Sequence, residues 1–220
     1  CFDNNWEVFD YGDLLNFLKK DIDTDYASDE KTFIRHYILF LEEYLEEYKN
    51  LEKNCSRLFK KGLTKEDKFW SRLLNSKIAL EFKNKIEGDF KYVINPGNTS
   101  TPLLNIIPKK WKEIIGQEVL IQFQGNSLKF YLHHANKNSA EKLIKFSKSQ
   151  IQSKKIKFKK ITKRKENSCY ILETKLTDNL NDDFTLKDIY RFLVTFYENI
   201  DNKIIKNYTH SPNIILKPIC

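Results

Sequence analysis

The sequence of 220 residues contains no methionine, and it begins with Cys1. Because a natural chain is expected to start with Met, we interpret the sequence as a fragment or a processed product. Glycine and proline are also scarce, with six and five residues, and the composition as a whole is ordinary for a soluble protein. No apolar run approaches the roughly 20 residues that span a bilayer, and no signal peptide opens the chain. The sequence therefore predicts a chain without a membrane partner.

Cysteine occurs at only four widely separated positions, Cys1, Cys55, Cys169 and Cys220. No two of them form a Cys-x-x-Cys pair, and no cysteine–histidine group has the spacing of zinc ligands. Scattered cysteines of this kind are typical of reduced thiols in an intracellular protein. We therefore expect a cytoplasmic location and no disulfide bond.

Catalytic signatures are absent as well. The sequence has no P-loop, no Gly-x-Ser-x-Gly motif and no dinucleotide-binding glycine motif. His133 and His134 are adjacent in a predicted strand, so their side chains point to opposite faces and cannot share one ion. His36 has no second ligand one helical turn further on. We therefore predict no catalytic residue, no metal ligand and no cofactor in this chain.

One acid-x-Lys triplet, Glu173-Thr174-Lys175, lies in a clear predicted strand, where residues two apart share a face. Metal-dependent nucleases use such a triplet with a further acid to hold Mg²⁺ and to position water. Here residues 109–165 contain no Asp that could act as the further acid. We interpret Glu173 as an ion-pair partner of a neighbouring Lys-rich strand rather than as a catalytic residue.

The first part of the chain has a helical pattern and an acidic charge. Residues 1–54 carry fourteen acidic and six basic side chains, and apolar residues repeat at helical spacing until Gly62, a typical helix end. The repeat predicts a seam on one long helix, formed by Ile34, Tyr37, Leu41, Tyr44, Tyr48, Leu51, Cys55 and Leu58. A second helix is predicted to begin at a Thr64–Asp67 capping box and to pack on the first as a hairpin. We assign residues 1–90 to this helical region.

The second part of the chain has the pattern of strands. Because three of the five prolines fall between residues 95 and 109, we predict a linker over residues 91–112. Residues 113–220 show the order ββαββα, which predicts an α+β sandwich with an antiparallel sheet and helices on one face. The predicted strands are 117–124, 127–135, 155–162 and 169–176, and the predicted helices are 138–152 and 185–208. The last helix is predicted to start at a Thr185–Asp188 cap and to bury Ile189, Phe192, Leu193, Phe196, Ile200 and Ile204.

The densest charge lies in the stretch from Lys154 to Lys165, in which eight of twelve residues are Lys or Arg. Residues 109–175 as a whole carry seventeen basic and only five acidic side chains. Because alternate residues of a strand share a face, the stretch predicts a phosphate-contacting surface formed by Lys155, Lys157, Lys159, Lys163, Arg164 and Lys165. Lysines hold phosphates without reading bases, so no sequence preference is expected. The alternative is that these side chains are only the solvated face of a sheet.

The stretch "NNWEVFDYGDLLNFLKK", followed after a gap by "TFIRHYILFLEEYLE", resembles a pattern in bacterial PD-(D/E)XK nuclease superfamily proteins. In that pattern a Trp and a Tyr precede a short helix, and a second helix carries an aromatic residue and an Ile-x-x-Tyr motif. The positions that fit are Trp6, Tyr11, Leu14, Leu15, Phe33, Ile34, Tyr37 and Leu41. The later stretch "EVLIQFQGNSLKFYLHH" is also similar to the tail of those proteins.

The resemblance implies that the metal-binding acids and the catalytic Lys lie upstream of Cys1, in a parent nuclease that uses Mg²⁺. This chain is then a DNA-binding accessory region of a bacterial nuclease of restriction or phage defence, without catalytic residues of its own. The alternative is a non-enzymatic protein-interaction or oligomerisation module. In that alternative the acidic helix over residues 29–54 holds a partner protein or a second copy of the chain, as a homodimer.

Overall fold

The computed structural model describes residues 11–21, 27–59, 63–96, 101–132 and 169–208. In this part of the chain it contains five α-helices and one five-stranded antiparallel sheet, so the prediction of a mixed α+β protein is confirmed. The chain divides into two compact units, which we call unit 1 (Cys1–Lys53) and unit 2 (Asn54–Cys220).

The described part of unit 1 consists of two helices, α1 (Tyr11–Asp21) and α2 (Ser28–Lys53). Their apolar residues recur at helical spacing, so each helix has one face suited to packing. The Lys19 ammonium and the Glu42 carboxylate form an ion pair of 2.6 Å that connects the two helices at their surface. The residues that α2 buries are Ile38, Leu41 and Leu51.

The described part of unit 2 contains two short 3-10 helices, Ser56–Phe59 and Leu176–Asp178. Its other elements, in chain order, are α3 (Lys65–Lys85), β1 (Phe90–Ile94), β2 (Leu103–Pro108), α4 (Lys109–Ile115), β3 (Val119–Gln124), β4 (Ser127–Leu132), β5 (Cys169–Lys175) and α5 (Leu186–Tyr208). The strands form one sheet in the order β1-β2-β3-β4-β5, and each neighbouring pair is antiparallel.

The two long helices of unit 2 begin at the capping boxes that the sequence predicts. The Thr64 hydroxyl accepts a hydrogen bond from the Asp67 N–H at 3.0 Å, and the Asp67 carboxylate accepts one from the Thr64 N–H at 3.1 Å. Thr185 and Asp188 form the same pair of bonds at the start of α5. Each box satisfies backbone donors that the first helical turn leaves without a partner, and both predictions are confirmed.

One face of the sheet is covered by helices and carries the main core. Trp111 of α4 makes a T-shaped contact with Phe130 on β4, with 5.5 Å between ring centroids, and stacks on Tyr197 of α5 at 5.6 Å. Phe82 of α3 meets Phe90 of β1 edge-on at 5.4 Å. The predicted stripe of α5 also faces this core, because all six residues are buried: Ile189, Phe192, Leu193, Phe196, Ile200 and Ile204.

The sequence predicts an open face on the other side of the sheet, but the centre of that face is buried. Ile107, Leu120 and Tyr131, which lie on three adjacent strands, form a cluster with exposed fractions of 7%, 2% and 7%. Val93 of β1 packs against this cluster. The physical reason is that Leu120 is apolar at a position where strict alternation requires a polar side chain. Strand β3 therefore buries apolar side chains on both of its faces.

Helix α2 ends at Lys53, before the predicted end at Gly62. The seven-residue repeat continues in the sequence to Cys55, but the backbone N–H of Cys55 donates to the carbonyl of Phe184 at 3.2 Å instead of extending the helix. Cys55 and Leu58 are buried within unit 2, which explains why they match the apolar repeat. Helices α2 and α3 belong to different units, and their packing as a hairpin stays a prediction.

Residues 91–112, which the sequence predicts as a linker, contain most of β1, all of β2 and part of α4. The prolines that suggest a linker lie at strand ends, since Pro108 is the last residue of β2 and Pro102 immediately precedes its first residue. Proline is tolerated at such positions because no ladder N–H is required there. The boundary between the two compact units lies after Lys53, whereas the sequence predicts a division at residues 91–112.

Strands β3, β4 and β5 and helix α5 occupy the places that the predicted ββαββα order gives them. The predicted helix over residues 138–152 and the predicted strand over residues 155–162 lie outside the described residues. Strands β1 and β2 extend the sheet ahead of the predicted elements. The complete ββαββα order therefore stays a prediction.

Candidate functional sites

The predicted phosphate-contacting surface lies outside the part of the chain that the structure describes. It consists of Lys155, Lys157, Lys159, Lys163, Arg164 and Lys165. The arrangement of these side chains therefore stays a prediction. Three of the four histidines, His133, His134 and His210, also lie outside the described ranges, whereas His36 is exposed on α2.

Glu173 lies on β5, directly opposite Lys129 of β4 in the antiparallel register. The described neighbour of Glu173 is therefore β4, whereas the sequence suggests a pairing with the strand over residues 155–162. Lys129 is a buried residue, and its ammonium donates to the Gln124 amide oxygen at 3.2 Å. Within the described ranges, no group of three or more His, Cys, Asp or Glu side chains is placed to hold a metal ion.

A polar cluster that sequence reasoning missed joins α4 to α5 beside the core. The Asp201 carboxylate accepts hydrogen bonds from Trp111 Nε1 at 2.7 Å and from Lys110 Nζ at 2.8 Å. The Lys110 ammonium also lies 5.5 Å from the centroid of the Tyr197 ring. Because 90 residues separate Asp201 from Trp111 in the chain, no local sequence pattern could reveal this cluster.

The surroundings of this cluster favour the protonated forms of Lys110 and Tyr197. Burial acts to lower the pKa of Lys110, but its hydrogen bonds to Asp201 and Tyr197 outweigh burial, so the pKa is raised overall. Burial raises the pKa of Tyr197 above its ordinary value. Lysine and tyrosine therefore both keep their protons at neutral pH, and the cluster fastens α4 to α5.

A cleft of about 590 Å³ opens at the end of the sheet where β3 turns into β4. We call it the basic cleft. Its volume lies within the range of about 300–1,000 Å³ that is common for ligand pockets. The residues that line it come from separate stretches of the chain, so sequence reasoning could not assemble them. They are Phe59, Leu63, Lys68, Thr101, Pro102, Gly125, Asn126, Ser127, Lys175 and Thr177.

The turn between β3 and β4 fixes one wall of the basic cleft. Gly125 has a φ of +52°, in the left-handed region that favours glycine. The Asn126 amide oxygen accepts a hydrogen bond from the Thr177 N–H at 3.2 Å, and its amide nitrogen donates to the Thr177 hydroxyl at 3.0 Å. The Asn126 carbonyl accepts a further bond from the Leu176 N–H at 3.0 Å. This turn and the chain after β5 are therefore held together by three hydrogen bonds.

The charge of the basic cleft comes from two lysines. Lys68 is on α3 and Lys175 is at the end of β5, and the described residues that line the cleft include no Asp or Glu. Thr101 and Ser127 add hydroxyl groups to the lining. Ammonium and hydroxyl groups donate hydrogen bonds to phosphate and carboxylate oxygens. The composition of the cleft therefore suits an anion.

Helix α2 of unit 1 carries four aromatic side chains on one face, Phe33, Tyr37, Phe40 and Tyr44, which we call the aromatic stripe. The centroids of consecutive rings lie 6.4, 6.3 and 6.2 Å apart, and the rings are stacked. Tyr11 of α1 contacts Tyr44 edge-on at 5.7 Å. Phe33 and Phe40 are 71% and 58% exposed, so the stripe presents uncovered ring surface.

The sequence pattern assigns Tyr37 and Tyr44 to the same buried seam as Leu41. In the structure Leu41 is 1% exposed, whereas the two tyrosines are half-buried and belong to the aromatic stripe. The overlooked signal is spacing, because aromatic residues four, three and four positions apart lie on one face of a helix. The apolar repeat of α2 therefore describes two adjacent faces, one buried and one aromatic.

None of the helices within the described ranges is long and apolar enough to cross a membrane. The fold and the two surfaces define an α+β protein with a basic cleft in unit 2 and an exposed aromatic stripe in unit 1. Comparisons with protein-family models, with curated proteins and with solved structures find no match for this chain. The resemblance to PD-(D/E)XK nucleases therefore stays a prediction.

Proposed function

We propose that this chain is a nucleic-acid-binding accessory region that holds DNA backbones with the lysines of unit 2. The observation that carries the proposal is the basic cleft, whose charged lining residues are Lys68 and Lys175. The excess of basic residues over residues 109–175, seventeen against five acidic, adds a long-range attraction for polyanions. Contacts of this kind hold phosphates without reading the base sequence.

The second part of the proposal is that this region belongs to a Mg²⁺-dependent nuclease of the PD-(D/E)XK type, with a role in restriction or phage defence. Its support is the resemblance carried by α1 and α2, in which Tyr11, Phe33 and Leu41 fit the family pattern. In this proposal the chain contributes DNA binding. The metal ion and the catalytic acids belong to other parts of the nuclease.

The salt dependence of DNA binding tests the proposal. Each phosphate contact contributes about −0.7 to −0.9 to the log–log slope of affinity against salt concentration. Replacing Lys68 and Lys175 by Gln should therefore flatten the slope by about one to two units. Replacing Lys155, Lys157 and Lys159 by Gln should flatten it by about two to three units. Fluorescence anisotropy with random single-stranded and duplex DNA, from about 50 to about 200 mM salt, measures both changes.

The matched control is the double variant Lys20→Gln with Lys49→Gln, which removes two charges from exposed positions of unit 1. This control should change the slope much less than the cleft variant, because its lysines lie outside the basic cleft. If the cleft variant and the triple variant bind both DNAs as tightly as the parent at every salt concentration, the DNA-binding proposal is wrong. The lysine side chains would then contact solvent and not DNA phosphates.

The chain alone should not cleave DNA with Mg²⁺ or Mn²⁺. Glu173 is the strand acid of the acid-x-Lys triplet, and within the described ranges it belongs to no cluster of metal-ligating side chains. Plasmid nicking by the purified chain measures cleavage. Metal-dependent nicking that the substitution Glu173→Ala abolishes would contradict the assignment of catalysis to other parts of the nuclease.

A protein-interaction role is the second candidate function, and the exposed aromatic stripe favours it. Aromatic side chains are enriched at protein interfaces relative to the rest of protein surfaces. Replacing Phe33 and Phe40 by Ser should weaken the binding of a partner and leave the salt slope of DNA binding unchanged. Sedimentation velocity at low and high protein concentration shows whether that partner is a second copy of the chain.

A further inference from the structure

We propose that the aromatic stripe of α2 is a docking surface for a basic, amphipathic helix of a partner protein. This inference rests on the second candidate function and names the chemistry of the partner. Three properties of the stripe support it: the spacing of its rings, their exposure, and the charge beside them.

The spacing of the stripe suits a helix. Its four residues, from Phe33 to Tyr44, alternate four and three positions apart, which is the spacing by which paired helices pack their apolar side chains. The stripe extends over roughly 16 Å along the helix axis, at about 1.5 Å per residue. That length matches about three turns of a partner helix.

The exposure of the stripe leaves apolar surface for a partner to cover. Phe33 is 71% and Phe40 is 58% exposed, whereas an aromatic side chain that is fully buried removes roughly 150–250 Å² from water. The rings are already stacked on one another, so an incoming helix meets an ordered surface. Ordering the surface in advance lowers the entropic cost of binding.

The charge beside the stripe is acidic. Asp29 lies one helical turn before Phe33, Glu43 lies one residue before Tyr44, and both acidic side chains are exposed. Residues 42–53 contain five acidic and two basic side chains. Lysine or arginine residues that flank the apolar face of a partner helix would lie beside these carboxylates. Complementary charge of this kind favours the correct partner and raises the rate of association.

The same charge disfavours two other occupants of the stripe. Residues 1–54 carry fourteen acidic and six basic side chains, so this surface repels a phosphate backbone. Two copies of unit 1 would bring the same negative charge together. In a parallel pair of α2 helices, Glu43 would lie near Glu43 of the second copy. The acidic side chains beside the stripe attract a basic helix, whereas they repel a second copy of the chain.

The test uses the full chain and three synthetic peptides, each about 18 residues or roughly five helical turns long. All three peptides have the same leucine stripe, and their other positions are Lys, Glu or Gln. Fluorescence anisotropy measures their affinities. We expect the Lys peptide to bind at least about tenfold more tightly than the Glu peptide, a difference of about 1.4 kcal/mol. The Gln peptide should lie between them.

Two variants assign the binding to the stripe. The double variant Phe33→Ser with Phe40→Ser should lower the affinity for the Lys peptide by at least about tenfold. Glu43→Lys keeps all four rings, and it should lower the affinity for the Lys peptide and raise the affinity for the Glu peptide. The matched control is Leu80→Ser, at a site on α3 that is 52% exposed, and it should leave all three affinities unchanged. Far-UV circular dichroism checks that each variant keeps its helices.

The outcomes separate the inference from the function on which it rests. If the three peptides bind equally well and the Phe33/Phe40 variant weakens all of them, the stripe is an interaction surface but the basic partner is wrong. If the Phe33/Phe40 variant changes no affinity, both the inference and the interaction role of the stripe are wrong. If the parent sediments as a dimer that the Phe33/Phe40 variant dissociates, the occupant is a second copy, and the inference is overturned.

Discussion

The two units of the molecule use their aromatic residues in opposite ways. In unit 2, Phe82, Trp111 and Phe130 are fully buried between the sheet and the helices. In unit 1, Phe33 and Phe40 are mostly exposed, and three residues of α2 are buried among those that the structure describes. Unit 2 therefore builds a core of its own, whereas the described helices of unit 1 leave much of their apolar surface uncovered.

This difference in aromatic burial indicates how much each unit is stabilised by its own packing. A helix gains most of its stability in a protein from packing an apolar face. A small structure with few buried residues has little to offset the entropy of the chain. We therefore expect unit 2 to resist denaturant by its own packing, and the described helices of unit 1 to be the less stable part of the molecule.

The largest expected change in the free energy of unfolding comes from a substitution in the core of unit 2. Phe130→Ala removes the ring that contacts Trp111 and should lower the free energy of unfolding by about 3–5 kcal/mol. Urea unfolding followed by tryptophan fluorescence measures the change. The control Leu80→Ala alters an exposed site and should cost less than about 0.5 kcal/mol. Equal costs would show that the sheet–helix core is not the stabilising centre.

The next effect concerns the buried seam of unit 1. Leu41 is 1% exposed, so Leu41→Ala should lower the free energy of unfolding of the transition that includes α2 by about 2–5 kcal/mol. Far-UV circular dichroism during a urea titration follows that transition. A loss below about 0.5 kcal/mol is typical of surface positions and would place Leu41 outside any core.

A smaller effect is expected at the cap of α5 in unit 2. Hydrogen bonds from the Thr185 hydroxyl and N–H lower the pKa of Asp188. Because the folded pKa lies below the unfolded value of about 3.9, the stabilisation is complete above that value and is lost as the pH falls through the folded pKa. Thr185→Ala should cost about 1 kcal/mol at neutral pH.

Comparing the parent with Asp188→Asn isolates the pH-dependent part of this cap. The difference in free energy of unfolding between the two proteins should shrink between about pH 7 and about pH 3, because the stabilisation from the folded carboxylate begins to be lost once the pH falls below the unfolded pKa of about 3.9. Urea titrations at the two pH values measure it. A difference that stays constant would mean that the charge of Asp188 does not contribute to the cap.

The smallest effect on stability is expected from the aromatic stripe. Phe33→Ser with Phe40→Ser should change the free energy of unfolding by less than about 0.5 kcal/mol, because exposed side chains away from special features contribute little. The comparison with Phe130→Ala is the sharpest available, since all three residues are phenylalanines. A loss above about 2 kcal/mol would show that the stripe supports the fold, and unit 1 would then resemble unit 2.

Local features of this fold were predictable from the sequence. The capping box at Thr64 and the one at Thr185 each depend on residues three positions apart, and the turn at Gly125 falls in the two-residue gap between the predicted strands 117–124 and 127–135. The buried stripe of α5 follows from helical periodicity. These predictions succeed because the interactions that decide them lie within a few residues of one another.

Features that depend on distant residues were not predictable. The basic cleft brings Lys68 of α3 beside the chain after β5, and Asp201 meets Trp111 across 90 residues. Strands β1 and β2 were missed because the prolines at their ends resemble those of a linker. In the described ranges the basic cleft and the Asp201 cluster therefore arise from tertiary packing, whereas the aromatic stripe follows from residue spacing within one helix.

Cys55, the second residue of unit 2, has a thiol whose reactivity is low because of its packing. Cys55 is a free, fully buried cysteine whose thiol donates to the Phe184 carbonyl at 3.5 Å. Burial raises the pKa of this thiol to about 12. Because the thiolate is the form that reacts, Cys55 is protected from alkylating reagents both by its burial and by its proton.

This protection makes Cys55 a reporter of motion where the chain passes from one unit to the other. In a chain with Cys1, Cys169 and Cys220 replaced by Ser, alkylation can occur only in molecules in which Cys55 has become exposed and able to ionise. Local openings of this kind have free energies between zero and that of global unfolding. The alkylation rate, compared with the rate of global unfolding, therefore measures how often unit 2 loosens at its first residues while the rest of its core stays folded.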